Sequence, residues 1–182
     1  MTAKVVALVV SSSLAGCSGS STPSSPSAGA VTSIVGASFS GDYVTSSATR
    51  SGFVCRDNRR VTGTMTVTLT QQSPTVAGTA ELSGTHSTTA TTCPLGEVGD
   101  FPFRGSALAV SGPVDRVAFS QEVMNTRTAG AGEVIESTFT RAFTGALSNG
   151  VLTGTLTFSD RHVFASGTGE GSVAMPVTAT LR

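Results

Sequence analysis

Two histidines, His86 and His162, are the side chains of this sequence best suited to proton transfer near neutral pH. His162 follows Asp160 by two positions, so on a strand the two side chains would share a face and the carboxylate could orient the imidazole. The segment around His86, SGTHSTTATTC, is rich in threonine and predicts a loop. A hydrolase that uses His86 or His162 with a serine is therefore one hypothesis. The alternative for the Asp160 and His162 pair is a solvated hairpin end.

Sequence motifs of known catalytic and metal sites are missing. The chain contains neither a G-x-S-x-G nucleophile elbow nor an H-E-x-x-H zinc motif. The glycine-rich segment GTGEG, residues 167–171, lacks the lysine of a phosphate-binding loop and predicts a hairpin turn instead. We therefore assign no catalytic residue, metal or cofactor from the sequence, and favour a binding or structural role over an enzymatic one.

The densest charge in the chain is the segment CRDNRR at residues 55–60. Arg56, Arg59 and Arg60 could together bind an anion, such as a lipid headgroup or a surface polysaccharide, because guanidinium groups pair with phosphate and carboxylate. Alternatively, the segment is a solvated loop whose arginines pair with Asp57. The chain as a whole has a formal net charge of zero. It lacks the clustered basic excess of nucleic-acid-binding proteins, so we expect no nucleic-acid partner.

The N-terminus has the organisation of an export signal. Residues 1–16, MTAKVVALVVSSSLAG, place a lysine before a short apolar run and then small residues. The apolar run is too short to span a bilayer as a helix. Residues 18–30 consist of Ser, Gly, Pro, Thr and Ala, which cannot form a core. We expect a removed signal at 1–16, a flexible tether at 17–38 and one domain at 39–182.

The segment Leu14-Ala15-Gly16-Cys17 resembles the lipobox of bacterial lipoproteins. The resemblance implies cleavage before Cys17, diacylglycerol on its thiol and acylation of the new N-terminus, which together form a stable membrane anchor. It places the protein in the bacterial cell envelope. Because Ser18 rather than aspartate follows the cysteine, the resemblance favours the outer membrane in a host that has one.

With Cys17 assigned to lipid, Cys55 and Cys93 remain as a pair. An exported protein meets an oxidising environment, so we predict a disulfide between them. Free thiols and a metal site are the alternatives, although two cysteines without a histidine cluster make a poor zinc site.

The elements that must position these residues are β-strands. The chain contains 28 Thr, 26 Ser and 21 Gly and few helix-forming side chains. The segment VTGTMTVTLT, residues 61–70, alternates apolar and threonine side chains with the period of a strand. QQSPT then predicts a turn, VAGTAELSG a second strand, and Ser148-Asn149-Gly150 a tight hairpin turn further on. We predict an all-β antiparallel meander of eight or nine strands. A closed small β-barrel is favoured, and a two-sheet sandwich is the alternative.

The hairpin GTMTVTLTQQSPTVAGT is similar to the hairpins of lipocalin and avidin-like barrels. The chain lacks the tryptophan of a biotin site and the lipocalin G-x-W signature, so the resemblance implies a barrel but no ligand residues. We expect a lipid-anchored monomer that binds a small hydrophobic ligand or an envelope protein. An inhibitor or assembly partner acting through its loops is a further alternative. The phenylalanines expected to line a cavity, or otherwise to pack in the core, are Phe101, Phe103, Phe119, Phe139, Phe143 and Phe158.

Overall fold

The alternation of apolar and hydroxyl side chains produces eight long strands. The computed structural model describes residues 32–49, 52, 54–71, 74–94, 96–128 and 132–180. The strands are β1 (Thr32–Thr49), β2 (Val54–Gln71), β3 (Thr75–Thr91), β4 (Gly99–Pro113), β5 (Val117–Thr128), β6 (Val134–Ser148), β7 (Val151–Phe164) and β8 (Gly167–Thr180). β1 begins upstream of the boundary predicted at residue 39. The signal at 1–16, Cys17 and the tether as far as residue 31 lie outside the described residues.

Each strand pairs antiparallel with the next strand in sequence, and β8 returns to pair with β1. Residues Ser46 to Thr49 of β1 lie opposite Gly167 to Glu170 of β8 and close the sheet. The predicted all-β antiparallel barrel is therefore confirmed, and the sandwich alternative is wrong. A closed sheet satisfies the edge strands that an open meander would leave unpaired.

Of two turns predicted from local sequence, one forms and the other does not. Asn149 and Gly150, with φ of 50° and 74°, form the predicted tight turn between β6 and β7, because these residue types tolerate the left-handed region. The turn predicted at GTGEG is wrong, since Gly167 already begins β8. Gly171 instead serves close packing, because a Cβ atom there would lie 2.9 Å from the Cα of Thr45.

One half of the barrel interior is a dry apolar core. The inward face of β2 contributes Val61, Met65, Val67 and Leu69, each at most 1% exposed. Phe143 is the largest fully buried side chain. This core occupies the end of the barrel where β1 begins and where the β2–β3, β4–β5 and β6–β7 turns lie. The opposite end of the interior is consequently left to other residues.

The β4–β5 seam, by which we mean the boundary between these two strands, has the sparsest backbone pairing. Its ladder in the described residues is the single pair Ser111 with Ala118, close to the turn. Beyond this pair, side chains bridge the seam. Arg141 of β6 donates a hydrogen bond to Gln121 Oε1 on β5 and lies over the Phe103 ring of β4.

Candidate functional site

The interior opens into a cavity of about 540 Å³ at the end where β1 finishes. Its mouth is bordered by the segment between β3 and β4 and by the β7–β8 turn, which contribute Pro94, Gly96, Glu97 and Ser166. Aromatic and aliphatic side chains form part of the wall, and polar side chains converge within it. The apolar lining residues are Phe101, Phe103, Ile135, Phe139 and Phe164. The cavity thus combines apolar walls with a small number of polar groups, as ligand sites commonly do.

The phenylalanines divide between the two ends of the barrel. Phe101, Phe103 and Phe139 line the cavity as expected. For Phe119, Phe143 and Phe158 a place in the cavity wall is wrong, because these residues pack in the apolar core instead. Alternation predicts which face of a strand a residue occupies. It does not predict how far along the barrel axis that residue lies.

His162 connects a serine to a carboxylate inside the barrel. Ser137 Oγ lies 2.8 Å from His162 Nδ1, and His162 Nε2 lies 3.2 Å from Asp160 Oδ2. Asp160 has a fully buried side chain, which also accepts hydrogen bonds of 3.0 and 3.1 Å from Thr45 Oγ1. An ionised carboxylate only accepts, so Nε2 donates to Asp160; in the tautomer with its proton on Nε2, Nδ1 accepts a hydrogen bond from the Ser137 hydroxyl. The solvated hairpin end proposed for Asp160 and His162 is therefore wrong.

Asp160 remains ionised despite its burial. Burial alone would raise the pKa of the Asp160 carboxyl. The hydrogen bond and electrostatic interaction with His162, the positive charge of Arg59 and the hydrogen bonds from Thr45 outweigh that effect, and the pKa of Asp160 is lowered overall. Arg59 lies 3.0 Å from Asp57 Oδ2 and 3.8 Å from Asp160 Oδ2, so its guanidinium is shared between two carboxylates.

His86 lies on β3 rather than in the predicted loop, and its ring lines the cavity. Its Nε2 is 2.6 Å from the Tyr43 hydroxyl. Burial first, and then the positive charge of Arg59, lowers the pKa of His86 to about 4. The ring is therefore neutral at pH 7, and its Nε2 accepts a hydrogen bond from the Tyr43 hydroxyl. Phe139 packs edge-on against both His86 and His162, with ring centres 5.8 Å apart in each case.

Arg141 is a cavity residue that the sequence did not single out. It is 9% exposed, its Nη1 donates to Gln121 Oε1 at 2.8 Å, and its guanidinium carbon lies 4.5 Å from the centre of the Phe103 ring. Burial lowers the pKa of this guanidinium. The sequence does contain a signal for it. Arg141 lies between Phe139 and Phe143 in the alternation of STFTRAFTG, and an arginine in line with two inward phenylalanines is unusual.

The three arginines of CRDNRR are not brought together. The segment lies within β2, so the loop interpretation is wrong, and alternation sends successive side chains to opposite faces. Arg59 points into the barrel with Asp57. Arg56 and Arg60 are exposed, and Arg60 pairs on the outer surface with Asp42 at 2.7 Å. The strand geometry therefore places Arg59 on the face opposite to Arg56 and Arg60, so the three guanidinium groups do not converge.

The predicted disulfide between Cys55 and Cys93 is confirmed, with Cα atoms 4.9 Å apart. It joins the start of β2 to the segment after β3, and both cysteines line the cavity. The side chain of Thr91, next to this bridge, donates a hydrogen bond to Asp57. The disulfide therefore braces one side of the cavity mouth.

Neither metal ligation nor a membrane-spanning helix is apparent in the part of the chain that the structure describes. No group of three or more His, Cys, Asp or Glu side chains there is arranged to hold a metal ion. The same residues contain no helix long and apolar enough to cross a bilayer. No protein-family model matches the chain, and a search of curated proteins finds no match.

Proposed function

We propose that this protein is a lipid-anchored ligand-binding module of the bacterial cell envelope. The cavity of about 540 Å³ carries the binding part of the proposal. This volume falls within the range of about 300–1,000 Å³ for small-molecule sites. Several polar side chains facing the cavity form hydrogen bonds with one another, such as Ser137 with His162 and Arg59 with Asp57 and Thr88, and this restricts their positions before a ligand enters. Such preorganisation lowers the cost of binding.

The anchoring part of the proposal is supported by the lipobox-like segment that ends at Cys17. β1 begins at the apolar end of the barrel and runs toward the cavity mouth. A tether attached before β1 would therefore join the barrel at the end opposite the mouth. This arrangement leaves the cavity accessible from the side away from the anchor, in keeping with a ligand taken from the surrounding medium.

Removal of the Cys17 thiol is expected to release the protein from the membrane. The Cys17→Ser variant, expressed in the native host, should be unlipidated, because the thiol receives the diacylglycerol. Ser18→Ala is the matched control and should stay membrane-bound, since it retains the thiol. Membrane fractionation and intact mass measure both outcomes. Equal membrane partitioning of Cys17→Ser and the control would contradict the anchoring proposal.

Occlusion of the cavity is expected to abolish ligand retention. Asn125 lines the cavity, and its strand neighbour Thr126 is exposed and, by alternation, faces outward. Native mass spectrometry of protein purified from its host should show a bound small molecule in the wild type and in Thr126→Trp. The molecule should be lost in Asn125→Trp, whose indole would fill the mouth. A ligand-free wild type, or equal retention in both variants, would contradict ligand binding.

A second candidate function is hydrolysis, favoured by the hydrogen-bonded chain Ser137–His162–Asp160. In this chain His162 is placed to remove the proton from Ser137, and Asp160 would stabilise the resulting imidazolium. The same mass spectra can test it after incubation with a fluorophosphonate. A hydrolase should form a covalent adduct that is absent in Ser137→Ala. An unmodified wild type would count against hydrolysis and leave the binding proposal intact.

A further inference from the structure

Arg141 differs from the other arginines of the cavity in its partners. Arg59 is shared between Asp57 and Asp160, and Arg127 lies 3.5 Å from Glu97 near the mouth. Among the described residues, no carboxylate lies within ion-pair distance of Arg141. Its neighbours are the neutral amide of Gln121 and the ring of Phe103. The cavity therefore contains a buried positive charge without a negative partner.

This arrangement is costly for the protein alone. Taking a guanidinium out of water carries a penalty that a single amide hydrogen bond and one aromatic contact offset only in part. A guanidinium has five N–H donors, and in Arg141 one on Nη1 is engaged by Gln121. Arg141 is also a lining residue of the cavity, so a molecule within it can reach the guanidinium. An anion in the cavity would supply the negative partner that Arg141 lacks among the described residues.

We propose that Arg141 binds the anionic group of an amphipathic organic ligand, most simply a carboxylate, whose apolar part lies against the phenylalanines of the cavity. This inference rests on the proposed binding function and adds the chemical class of the ligand. Arg59 is already neutralised by two aspartates, so it does not compete for the anion. A neutral ligand would leave the Arg141 charge uncompensated, and a cationic ligand would be repelled. The aromatic walls select for a flat or chain-like apolar portion.

The test compares two probes of the same shape, 1-naphthoate and its neutral amide, 1-naphthamide. Isothermal titration calorimetry of the purified protein should show at least tenfold tighter binding of the naphthoate, because its carboxylate forms charge-assisted hydrogen bonds with Arg141. The chain has two isoleucines, and Ile135 lines the cavity. The NMR signal of its δ1 methyl group should therefore shift when either probe binds.

The Arg141→Met variant should lose the preference for naphthoate while its affinity for naphthamide stays within about threefold of the wild type. Methionine approximates the length of the arginine stem and removes the buried charge, so the ligand-free variant should be at least as stable as the wild type. Arg141→Gln, which keeps hydrogen-bonding capacity without charge, should lose the preference in the same way. Arg161→Met is the control, since Arg161 is exposed and pairs with Glu170 on the outer surface. It should keep the wild-type preference.

Equal affinity of the wild type for both probes would overturn the role of Arg141 while leaving binding by the cavity in place. A naphthoate preference that survives in Arg141→Met and Arg141→Gln would overturn it as well. Failure of both probes to bind would also overturn the inference. The proposed function itself fails on a different observation, namely ligand-free protein isolated from the host, so the two failures can be told apart.

Discussion

The Asp160→Ala variant is expected to lose about 3–5 kcal/mol of unfolding free energy at pH 7, the usual cost of breaking a buried ion pair from one side. Asp160 has no exposed side-chain surface, and it is hydrogen-bonded to Thr45 and His162. Its removal leaves the donors of Thr45 and His162 without their acceptor inside the barrel. It also takes away one of the two carboxylates beside Arg59. Urea denaturation followed by circular dichroism measures the change.

Asp42→Ala is the matched control for this experiment. Asp42 pairs with Arg60 on the outer surface, where both side chains are more than half exposed. Water screens such pairs, so the denaturation midpoint of Asp42→Ala should stay close to that of the wild type. If Asp160→Ala unfolds at the same urea concentration as Asp42→Ala, the buried network around Asp160 does not hold the open end of the barrel together.

The Cys55→Ser/Cys93→Ser double variant is expected to lose about 4 kcal/mol of unfolding free energy on the chain-entropy estimate. The disulfide spans a sequence separation of 38 residues and restricts the unfolded chain accordingly. Equilibrium unfolding in urea measures the loss. The control is the wild type with and without reductant, because the reduced wild type should unfold at the same midpoint as the double variant. A double variant as stable as the oxidised wild type would contradict this prediction.

The polar end of the barrel is less favourable to the stability of the protein than an apolar core would be. Phe39, Met65 and Phe143 show that the same strands can bury large apolar side chains where the interior is closed. At the other end, the interior contains two arginines, two aspartates and two histidines. Burying such groups costs free energy even when they are paired. Their presence beside an open cavity supports the binding function that we propose.

Much of the fold follows from local sequence. Alternation in VTGTMTVTLT predicts that Val61, Met65 and Leu69 face inward, and all three are buried. The spacing of Asp160 and His162 correctly places them on one face of β7. Asn149 and Gly150 predict their own turn. These inferences succeed because the period of a strand and the conformational range of a turn residue are properties of a few consecutive residues.

The candidate site was predicted only in part. The sequence singles out His86 and His162 as residues to consider and Phe101, Phe103 and Phe139 as potential lining, and all five line the cavity. The loop environments assigned to His86 and to CRDNRR were wrong, because threonine-rich and charged segments form strands when one of their faces turns into a barrel. Ser137 was not distinguishable among 26 serines, since nothing in its local sequence indicates that it lies opposite His162.

The sequence by itself predicts the strand periodicity, the inward and outward faces and the Asn149-Gly150 turn, and it favours a disulfide between Cys55 and Cys93 if Cys17 carries lipid. Only the tertiary structure decided which inward residues meet. Barrel closure places Thr45 of β1 against Asp160 of β7, and the β4–β5 seam places Arg141 beside Gln121 and Phe103. Contacts between such distant residues depend on the register and closure of all eight strands. Local propensity carries no information about register or closure. The cavity and the position of Arg141 within it are therefore set only in the folded barrel.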